Sequence, residues 1–249
     1  TLVGSTLEVA SDVTGRTGIV WTGSEFAVMW NGSHPASSTG WGLVQQKVSA
    51  DGALTGPDVL CDEHGGNVGG MAWTGDTLFV MRMQDTFISA IKRYDLDGTD
   101  LGALSDIPAD ATCTRFGENC MAFGGSTMAI VYQEGMDGTF LHLHAADGTR
   151  LGSQILEAPA DHIAVSPTVT WTGSAFVTAW WDRSPAAVLM QVRPFGPDGT
   201  PLASTATVET FVTPPMVDWM GFAAAGDEFS WRWEAGGSQG MFNRVGWCR

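Results

Sequence analysis

One short stretch decides the fold of this chain: Thr170-Trp171-Thr172-Gly173-Ser174-Ala175-Phe176, an aromatic-Thr-Gly turn that leads into an apolar strand. Four other stretches follow the same plan, at a spacing of about 50 residues. They are Val20–Phe26, Ala72–Leu78, Ala122–Met128 and Ala223–Phe229. Self-similarity at a fixed period of this length indicates a solenoid or a propeller.

Each repeat carries the signals of four strands. In the fourth repeat the apolar, β-branched runs are residues 168–172, 176–181, 187–194 and 201–208. The last two runs are separated by an Asp-Gly pair, which is a strong hairpin signal because both central turn residues adopt positive φ. The pair occurs at Asp51-Gly52, Asp97-Gly98, Asp147-Gly148 and Asp198-Gly199. No run has a helical period. The sequence therefore predicts an all-β fold, a five-bladed β-propeller of four-stranded antiparallel blades, in one domain over residues 1–249.

The N-terminal residues are predicted to close this ring. Residues 1–5 (Thr-Leu-Val-Gly-Ser) match residues 149–153 (Thr-Arg-Leu-Gly-Ser), which follow the Asp-Gly turn of the third repeat. The fifth repeat ends at Arg249, near the point where its own Asp-Gly turn should come. We therefore expect the N-terminal strand to be the outermost strand of the last blade, which would remove a free sheet edge.

The composition limits which cellular locations and which binding partners are expected for this protein. A formal net charge of −15 repels phosphate backbones and excludes nucleic acid as a partner. No apolar run reaches the roughly 18 residues of a membrane span. The chain begins with Thr1 rather than Met, so we expect a mature protein that is secreted, periplasmic or on the cell surface. Cys113 and Cys120 flank a short loop and are expected to form a disulfide, which leaves Cys61 and Cys248 as the other pair.

The repeat resembles one that is common in secreted bacterial propeller proteins. That repeat has a Gly turn, an aromatic-rich strand ending in Trp and a later Asp-Gly-Thr, and its best copy here is residues 166–180 (Ser-Pro-Thr-Val-Thr-Trp-Thr-Gly-Ser-Ala-Phe-Val-Thr-Ala-Trp). The resemblance covers the whole chain and implies a propeller scaffold. Five-bladed propellers include lectins of the tachylectin type and glycoside hydrolases of the arabinanase and invertase type. The sequence carries the motifs of neither set, so the resemblance assigns no site residue.

One position near the end of the second strand is a candidate ligand site. Propeller geometry places it beside the variable loops, where binding residues concentrate. Aromatic rings there would stack on sugar rings, and polar neighbours would contact the hydroxyls. The alternative is that the rings pack between blades, because Phe26, Val28 and Trp30 alternate on one strand face. Arg82 argues against a dry core, since an unpaired buried charge is costly. The candidate residues are Trp30, Arg82, Tyr132, Trp180, Trp181 and Trp233.

The crossovers between blades suggest a metal site. His64 and His162 each lie nine residues before the Trp of the next turn, and Asp12 is their equivalent in the first repeat. Converging on the axial channel, two imidazoles and a carboxylate would suit a divalent transition metal. The alternative is a solvated acidic rim with hydrogen-bonded histidines, because the close spacing of a metal motif is missing. His142 and His144 alternate on a third strand and are expected to be partly exposed.

These candidates support three functional hypotheses. The leading one is a non-catalytic extracellular propeller that binds a glycan or a small polar ligand on the variable-loop face. The second is a glycoside-type hydrolase with acidic residues at the axial pocket. The third is a metal-binding propeller that uses the crossover histidines. The sequence has no Gly-x-Ser-x-Gly elbow, no phosphate-binding Gly loop and no recognisable cysteine–base pair.

Overall fold

The structure, a computed structural model, consists of β-strands joined by turns and loops. It describes residues 6–84, 87–105, 107–108, 111–112, 119–134, 138–156, 163–183, 188–211, 217–225, 228–235 and 239–246. Within these ranges there is no helix, and hence none long and apolar enough to cross a membrane. The prediction of an all-β chain is confirmed.

The first sheet is an antiparallel meander, meaning strands that pair in chain order. Its order is β1-β2-β3-β4. Trp21 faces Phe26 across the first turn, and the two rings contact each other with centroids 4.7 Å apart. The strands are β1 (Val13–Trp21), β2 (Glu25–Ser33), β3 (Trp41–Ser49) and β4 (Leu54–Asp62).

The second sheet has nine strands and contains two such meanders. The second meander is β5 (Asn67–Trp73), β6 (Leu78–Gln84), β7 (Phe87–Tyr94) and β8 (Asp100–Ala103). The third is β10 (Met121–Gly124), β11 (Thr127–Glu134), β12 (Gly138–Ala145) and β13 (Arg150–Leu156). A two-residue strand, β9 (Ala111–Thr112), pairs with both β7 and β11 and joins the meanders into one sheet.

The remaining strands form two sheets. The fourth meander is β14 (Ile163–Trp171), β15 (Phe176–Arg183), β16 (Val188–Phe195) and β17 (Ala206–Phe211), paired in that order. The fifth is three-stranded, with β18 (Val217–Ala225), β19 (Glu228–Ala235) and β20 (Gln239–Gly246). The structure thus has four sheets where the sequence predicts five separate blades, because β9 fuses two of them.

The Thr-Gly signal marks the turn between the first and second strands. The Thr22 hydroxyl donates a hydrogen bond to the Glu25 carbonyl at 2.7 Å, and the Glu25 N–H donates back to the same hydroxyl at 3.2 Å. Gly23 takes a φ of 102°, in the left-handed region that favours glycine. The same side-chain bond links Thr74 to Thr77 and Thr172 to Ala175. These turns are confirmed, and the threonine side chain explains why they recur.

The Asp-Gly signal marks the hairpin between the third and fourth strands. At each of them the glycine N–H bonds to the carbonyl three residues earlier, as in Gly148 to Ala145 at 2.9 Å. The Asp147 carboxylate accepts the Thr149 N–H at 2.8 Å, and this bond lowers the pKa of Asp147. The Asp-Gly-Thr order is therefore a hairpin closed by its own side chain.

The meanders stack on one another through their first strands. The order of contact is β1, β5, β10, β14 and β18, which is the order of the chain. One apolar cluster joins the first meander to the second and includes Met29, Leu43 and Tyr94. Another joins the second, third and fourth and includes Phe79, Tyr132 and Phe176. A single meander has apolar side chains on both faces, so stacking is what buries them.

The N-terminal closure is not among the described pairings. Residues 6–12 precede β1 and form no strand, and residues 1–5 lie outside the described residues. The same holds for one partner of the predicted disulfide: Cys120 is buried at the start of the third meander, whereas Cys113 lies outside the described ranges. Both features remain predictions, whereas the expected pairing of Cys61 with Cys248 is wrong, because Cys61 is a free thiol.

We expect Gly124 to be required for the contact between the third and fourth meanders. A β-carbon at this position would lie 2.3 Å from Cε3 of the Trp171 ring. Gly124→Ala would push that ring away and lower the free energy of unfolding by about 1–3 kcal/mol in a urea titration. Ser126→Ala, at a neighbouring exposed position, is the control and should change it by less than about 0.5 kcal/mol. Unchanged stability of Gly124→Ala would contradict this contact.

Candidate functional site

The two ends of the first meander differ in their connections. One end carries the Thr-Gly turn and the Asp-Gly hairpin, both short and regular. The other end carries the β2–β3 loop, residues 34–40, and the crossover from β4 to β5, residues 63–66. We call this second end the loop face. Irregular connections on a rigid scaffold are the usual place for functional groups, so the candidate residues are followed from here.

The aromatic side chains predicted as sugar platforms are buried. Trp30, Tyr132, Trp180 and Trp181 are between 0% and 3% exposed. The described backbone places Trp233 on β19, opposite Met220 and Met241, and its side chain lies outside the described set. No ring face among the four buried residues is open to a ligand. Their burial matches the alternative interpretation, in which these rings pack between meanders.

Tyr132 belongs to a buried polar network. Its hydroxyl lies 2.7 Å from Nε2 of His142, and the same nitrogen lies 3.1 Å from Nη2 of Arg150. His144 is also buried and places Nδ1 3.1 Å from the Gly148 carbonyl. The expectation that His142 and His144 are partly exposed is wrong. Hydrogen-bond partners on the neighbouring strands for His142, and in the β12–β13 hairpin for His144, allow both imidazoles to be enclosed.

Arg82 is the member of the predicted set that leads to the loop face. Its Nη1 donates to Oδ2 of Asp62 at 2.7 Å, and the two side chains are only 13% and 9% exposed. Its Nη2 donates to the Gly65 carbonyl. Arg82 lies on the second meander and Asp62 at the end of the first, so this ion pair ties the crossover across the seam between them. Arg82 was predicted as a ligand-binding residue, and in the structure its guanidinium is paired with Asp62.

The same aspartate orients His64. Oδ1 of Asp62 accepts the His64 backbone N–H at 2.8 Å and lies 3.1 Å from the imidazole Nδ1. The His64 side chain is 87% exposed. A carboxylate at Nδ1 favours the tautomer with the proton on Nδ1, which leaves Nε2 as a lone-pair acceptor toward solvent. Aspartate, histidine and arginine thus form one connected group.

The crossover reaches this position because Gly65 carries no side chain. A β-carbon there would lie 2.6 Å from Oδ1 of Asn31 on β2. Asp62 is the last residue of β4 and pairs with Leu43, which is buried against the second meander. The β3–β4 register shifts next to this pair, and the hydrogen bond from Arg82 on β6 shows that the Asp62 carboxylate faces the second meander as well.

Glu63 ties the crossover to the β2–β3 loop. Its carboxylate accepts the Ser38 hydroxyl at 2.6 Å and the Ser38 N–H at 3.2 Å. These hydrogen bonds lower the pKa of Glu63, so this carboxylate is ionised at neutral pH. An ionised, solvent-exposed carboxylate accepts hydrogen bonds and is unsuited to act as a general acid.

Cys61 precedes this group and is not a nucleophile. Burial, followed by the charges of Asp62, Asp95 and Asp100, raises its pKa to about 12. The thiolate is the reactive form of cysteine, and at neutral pH a thiol of this pKa is essentially never ionised. The chemistry of the crossover therefore belongs to Asp62 and His64.

The predicted metal ligands are not brought together in the described structure. Asp12 is exposed in the segment before β1, His64 points to solvent from the crossover, and His162 lies outside the described residues. The described side chains contain no group of three His, Cys, Asp or Glu residues that could hold a metal ion. A metal at the axial channel remains a prediction.

We expect the Asp62–Arg82 pair to contribute strongly to stability. Arg82→Met would leave a buried carboxylate without its counter-charge and lower the free energy of unfolding by about 3–5 kcal/mol. Adding Asp62→Asn removes that charge, so the double variant should lose less than the sum of the single variants.

The matched control is Lys92, whose ammonium also lies 2.7 Å from a carboxylate, that of Asp100, at side-chain exposures of 22% and 40%. Lys92→Met should cost less than about 1 kcal/mol in the same urea titration. Equal losses for Arg82→Met and Lys92→Met would show that burial does not distinguish the two pairs.

The comparisons with known proteins concern the fold. No protein-family model matches the sequence, and no curated protein matches it. The structure is similar to a prolyl endopeptidase, with 13% identity and a TM-score of 0.54, over 94% of this chain and 33% of that one. It is similar to the β-propeller domain of the Trilobed protease from Pyrococcus furiosus, with 9% identity and a TM-score of 0.50, over 93% and 68%. It is also similar to an exo-β-1,3-galactanase from Phanerochaete chrysosporium, with 11% identity and a TM-score of 0.51, over 89% and 56%.

This chain spans 33% of the length of the prolyl endopeptidase and 56% of that of the galactanase. At identities of 9% to 13% the likeness extends to the fold alone. The chain is an all-β protein of four-stranded antiparallel sheets in a β-propeller arrangement.

Proposed function

We propose that this chain is a five-bladed propeller hydrolase that acts on an extracellular, carbohydrate-type substrate, with His64 as general base and Asp62 as its orienting carboxylate. The observation that carries the proposal is the Asp62 carboxylate, which bonds the solvent-exposed His64 on one side and the buried Arg82 on the other. A base held by a second group is the arrangement that nucleophile activation requires.

The architectural part of the proposal is one domain of five blades. Five successive meanders whose first strands contact in chain order support it. Among the described residues the sheet β18-β19-β20 has three strands, one fewer than the first and fourth meanders. The N-terminal residues supply that strand in this proposal, and the ring closes between the first and fifth meanders.

Closure is tested by removing the first ten residues. The truncated chain should melt about 5–10 °C below the full chain, because the last sheet loses an edge strand and a cooperative ring opens. Thermal unfolding followed by circular dichroism measures the shift. An equal melting temperature for the truncated and full chains would reject N-terminal closure.

The chemical steps follow from the tautomer of His64. Nε2 takes a proton from a bound water, and the resulting hydroxide attacks the electrophilic carbon of the substrate. The imidazolium is stabilised by Asp62 through the Nδ1–H bond. It then returns its proton to the leaving oxygen, so the site ends in its starting state.

The bond that suits this base best is an acyl ester. In ester hydrolysis one imidazole serves both proton transfers, because attack and departure occur at the same carbon on one side of the site. Glycosidic hydrolysis instead requires two carboxyl groups, one of them protonated. Glu63, the other described carboxylate on the crossover, has a lowered pKa and does not fit the acid role.

The substrate class rests on charge and on fold-level likeness. A net charge of −15 disfavours anionic substrates and leaves neutral, hydroxyl-rich ones. The galactanase with a similar fold, described in complex with β-1,3-galactotriose, supports a carbohydrate and keeps the glycosidic bond as the second candidate. The proposed location is outside the cytoplasm, where glycans are abundant. Binding without catalysis is the weaker candidate, because the rings expected to bind are buried.

The test is a hydrolysis assay with two panels, p-nitrophenyl esters and acetylated sugars in one and p-nitrophenyl glycosides in the other. His64→Gln should lower kcat by about 100-fold or more while the protein stays folded, because the side chain is exposed. Asp76→Asn, an exposed carboxylate in the Thr-Gly turn at the opposite end of the second meander, should leave kcat unchanged. Turnover that survives His64→Gln, or no turnover in either panel, would reject the proposal. Release of p-nitrophenol from glycosides alone would replace the ester by the glycosidic bond.

A further inference from the structure

Trp41 differs from the other tryptophans near the loop face because its side chain is open to solvent. It is the first residue of β3, directly after the β2–β3 loop, and is 46% exposed. Trp30, Trp180 and Trp181 are at most 3% exposed. An indole left in water forgoes the hydrophobic free energy that its burial would provide. We therefore expect a role of this side chain at the surface.

The strand register places Trp41 beside the Asp62–His64 group. β2 and β3 pair without a register shift, from Ser33 opposite Trp41 to Glu25 opposite Ser49. Side chains two residues apart on a strand share a face, so Trp41 lies on the same face as Leu43. Asp62 is the partner of Leu43 on β4. The indole and the Asp62 carboxylate therefore lie on one face, a single pleat apart along the strand.

The loop that precedes Trp41 is fixed by its own hydrogen bonds. The Ser37 and Thr39 hydroxyls both donate to the Trp41 carbonyl, at 2.6 and 2.9 Å. The His34 N–H bonds to the Gly40 carbonyl at 3.2 Å and closes the loop at its base. The Ser38–Glu63 bonds then fasten the loop to the crossover. The indole is thus held on a pre-organised support, which reduces the entropy lost on binding.

The segments that adjoin Trp41 in the fold, the β2–β3 loop and the crossover, carry polar side chains. Ser38, Glu63 and His64 supply a hydroxyl, an ionised carboxylate and an imidazole on the adjoining segments. A flat apolar face bordered by hydrogen-bonding groups matches a pyranose ring, which has an apolar C–H face and hydroxyls at its edge. A purely apolar partner would leave the polar border unsatisfied.

We infer that Trp41 is the stacking platform for a neutral pyranose ring of the substrate, at the subsite next to the bond presented to His64. This inference rests on the proposed function, because it names the substrate group that the same site binds. It assigns substrate binding to Trp41 and proton transfer to His64. The two roles are separable by experiment.

The experiment measures binding by isothermal titration calorimetry with neutral trisaccharides, namely β-1,3-galactotriose, cellotriose and xylotriose. The wild-type chain should bind at least one of them at millimolar concentration. Trp41→Ala should weaken that binding about 10-fold or more, and Trp41→Phe should retain most of it, since a ring face remains. The control is Trp21→Ala, which removes a similarly exposed indole (44%) at the opposite end of the meander and should leave binding unchanged.

The outcomes separate this inference from the proposed function. Equal affinity of wild type and Trp41→Ala, or no binding of any trisaccharide, overturns the platform. If Trp41→Ala loses binding while His64→Gln binds normally, the platform holds whether or not turnover is found. If His64→Gln abolishes turnover while Trp41→Ala leaves binding and KM unchanged, the hydrolase survives and the platform does not. Circular dichroism of each variant confirms that the comparison is made between folded proteins.

Discussion

The stacking of one meander on the next is the constraint on which this structure depends. In each of the first four meanders the second strand carries buried apolar side chains on both faces, and no four-stranded sheet can bury both faces alone. The two apolar clusters show how the seams are filled, with Met29 and Leu43 meeting Tyr94 at one seam and Tyr132 lying near Phe176 at another. Close approach at a seam needs small residues, and Gly124 under the Trp171 ring is the clearest case. The residues on the loop face are therefore held in place by tightly packed contacts between meanders, and one contact cannot change without affecting the others.

A seam that is otherwise apolar makes a polar contact across it informative. The Asp62–Arg82 pair is buried, and burying two charges has a large desolvation cost that apolar side chains would avoid. The pair does something that a leucine and a methionine would not: it fixes the crossover and leaves one carboxylate oxygen for His64. The ion pair thus fixes the position of the crossover and places a charge beside His64, whereas an apolar contact would only stabilise the packing. This is the physical reason for placing function at the first seam.

The strand order within each meander could be predicted from the sequence because short-range hydrogen bonds determine the turns. The Thr-Gly and Asp-Gly signals predict their turns because the bonds that close them lie within the same few residues, as between Thr22 and Glu25. The fusion of two meanders by β9 was not predictable, because it depends on a connection of irregular sequence meeting two strand edges. The buried His142 and His144 were missed for a similar reason. Their partners, Tyr132 and Gly148, are recognisable only once strands are paired.

The candidate site was predictable only in part. Arg82 stood out because it breaks an aromatic pattern, and a charge at a core position requires a partner. Its partner Asp62 lies 20 residues earlier, across a seam, which no local pattern reveals. The alternation of side chains along a strand predicts which sheet face Trp30 and Trp180 are on. It does not predict whether that face is open to solvent or packed against another meander. Trp41 lies outside the repeated positions altogether.

The group lies at the seam between the first and second meanders, and this position determines what the scaffold contributes. At an axial channel all five repeats would offer equivalent side chains, and a site there would be built by symmetry. At the first seam the contributors are a strand end, a crossover and one loop, and of their side chains only the imidazole of His64 recurs at the equivalent place of another repeat, as His162. In the described third meander Tyr132 and His142 instead form a buried ring pair, with centroids 4.9 Å apart. A single site of this kind would hold one ligand in a defined orientation, whereas repeated sites would bind through avidity. Catalysis requires a defined orientation, and simple surface recognition does not.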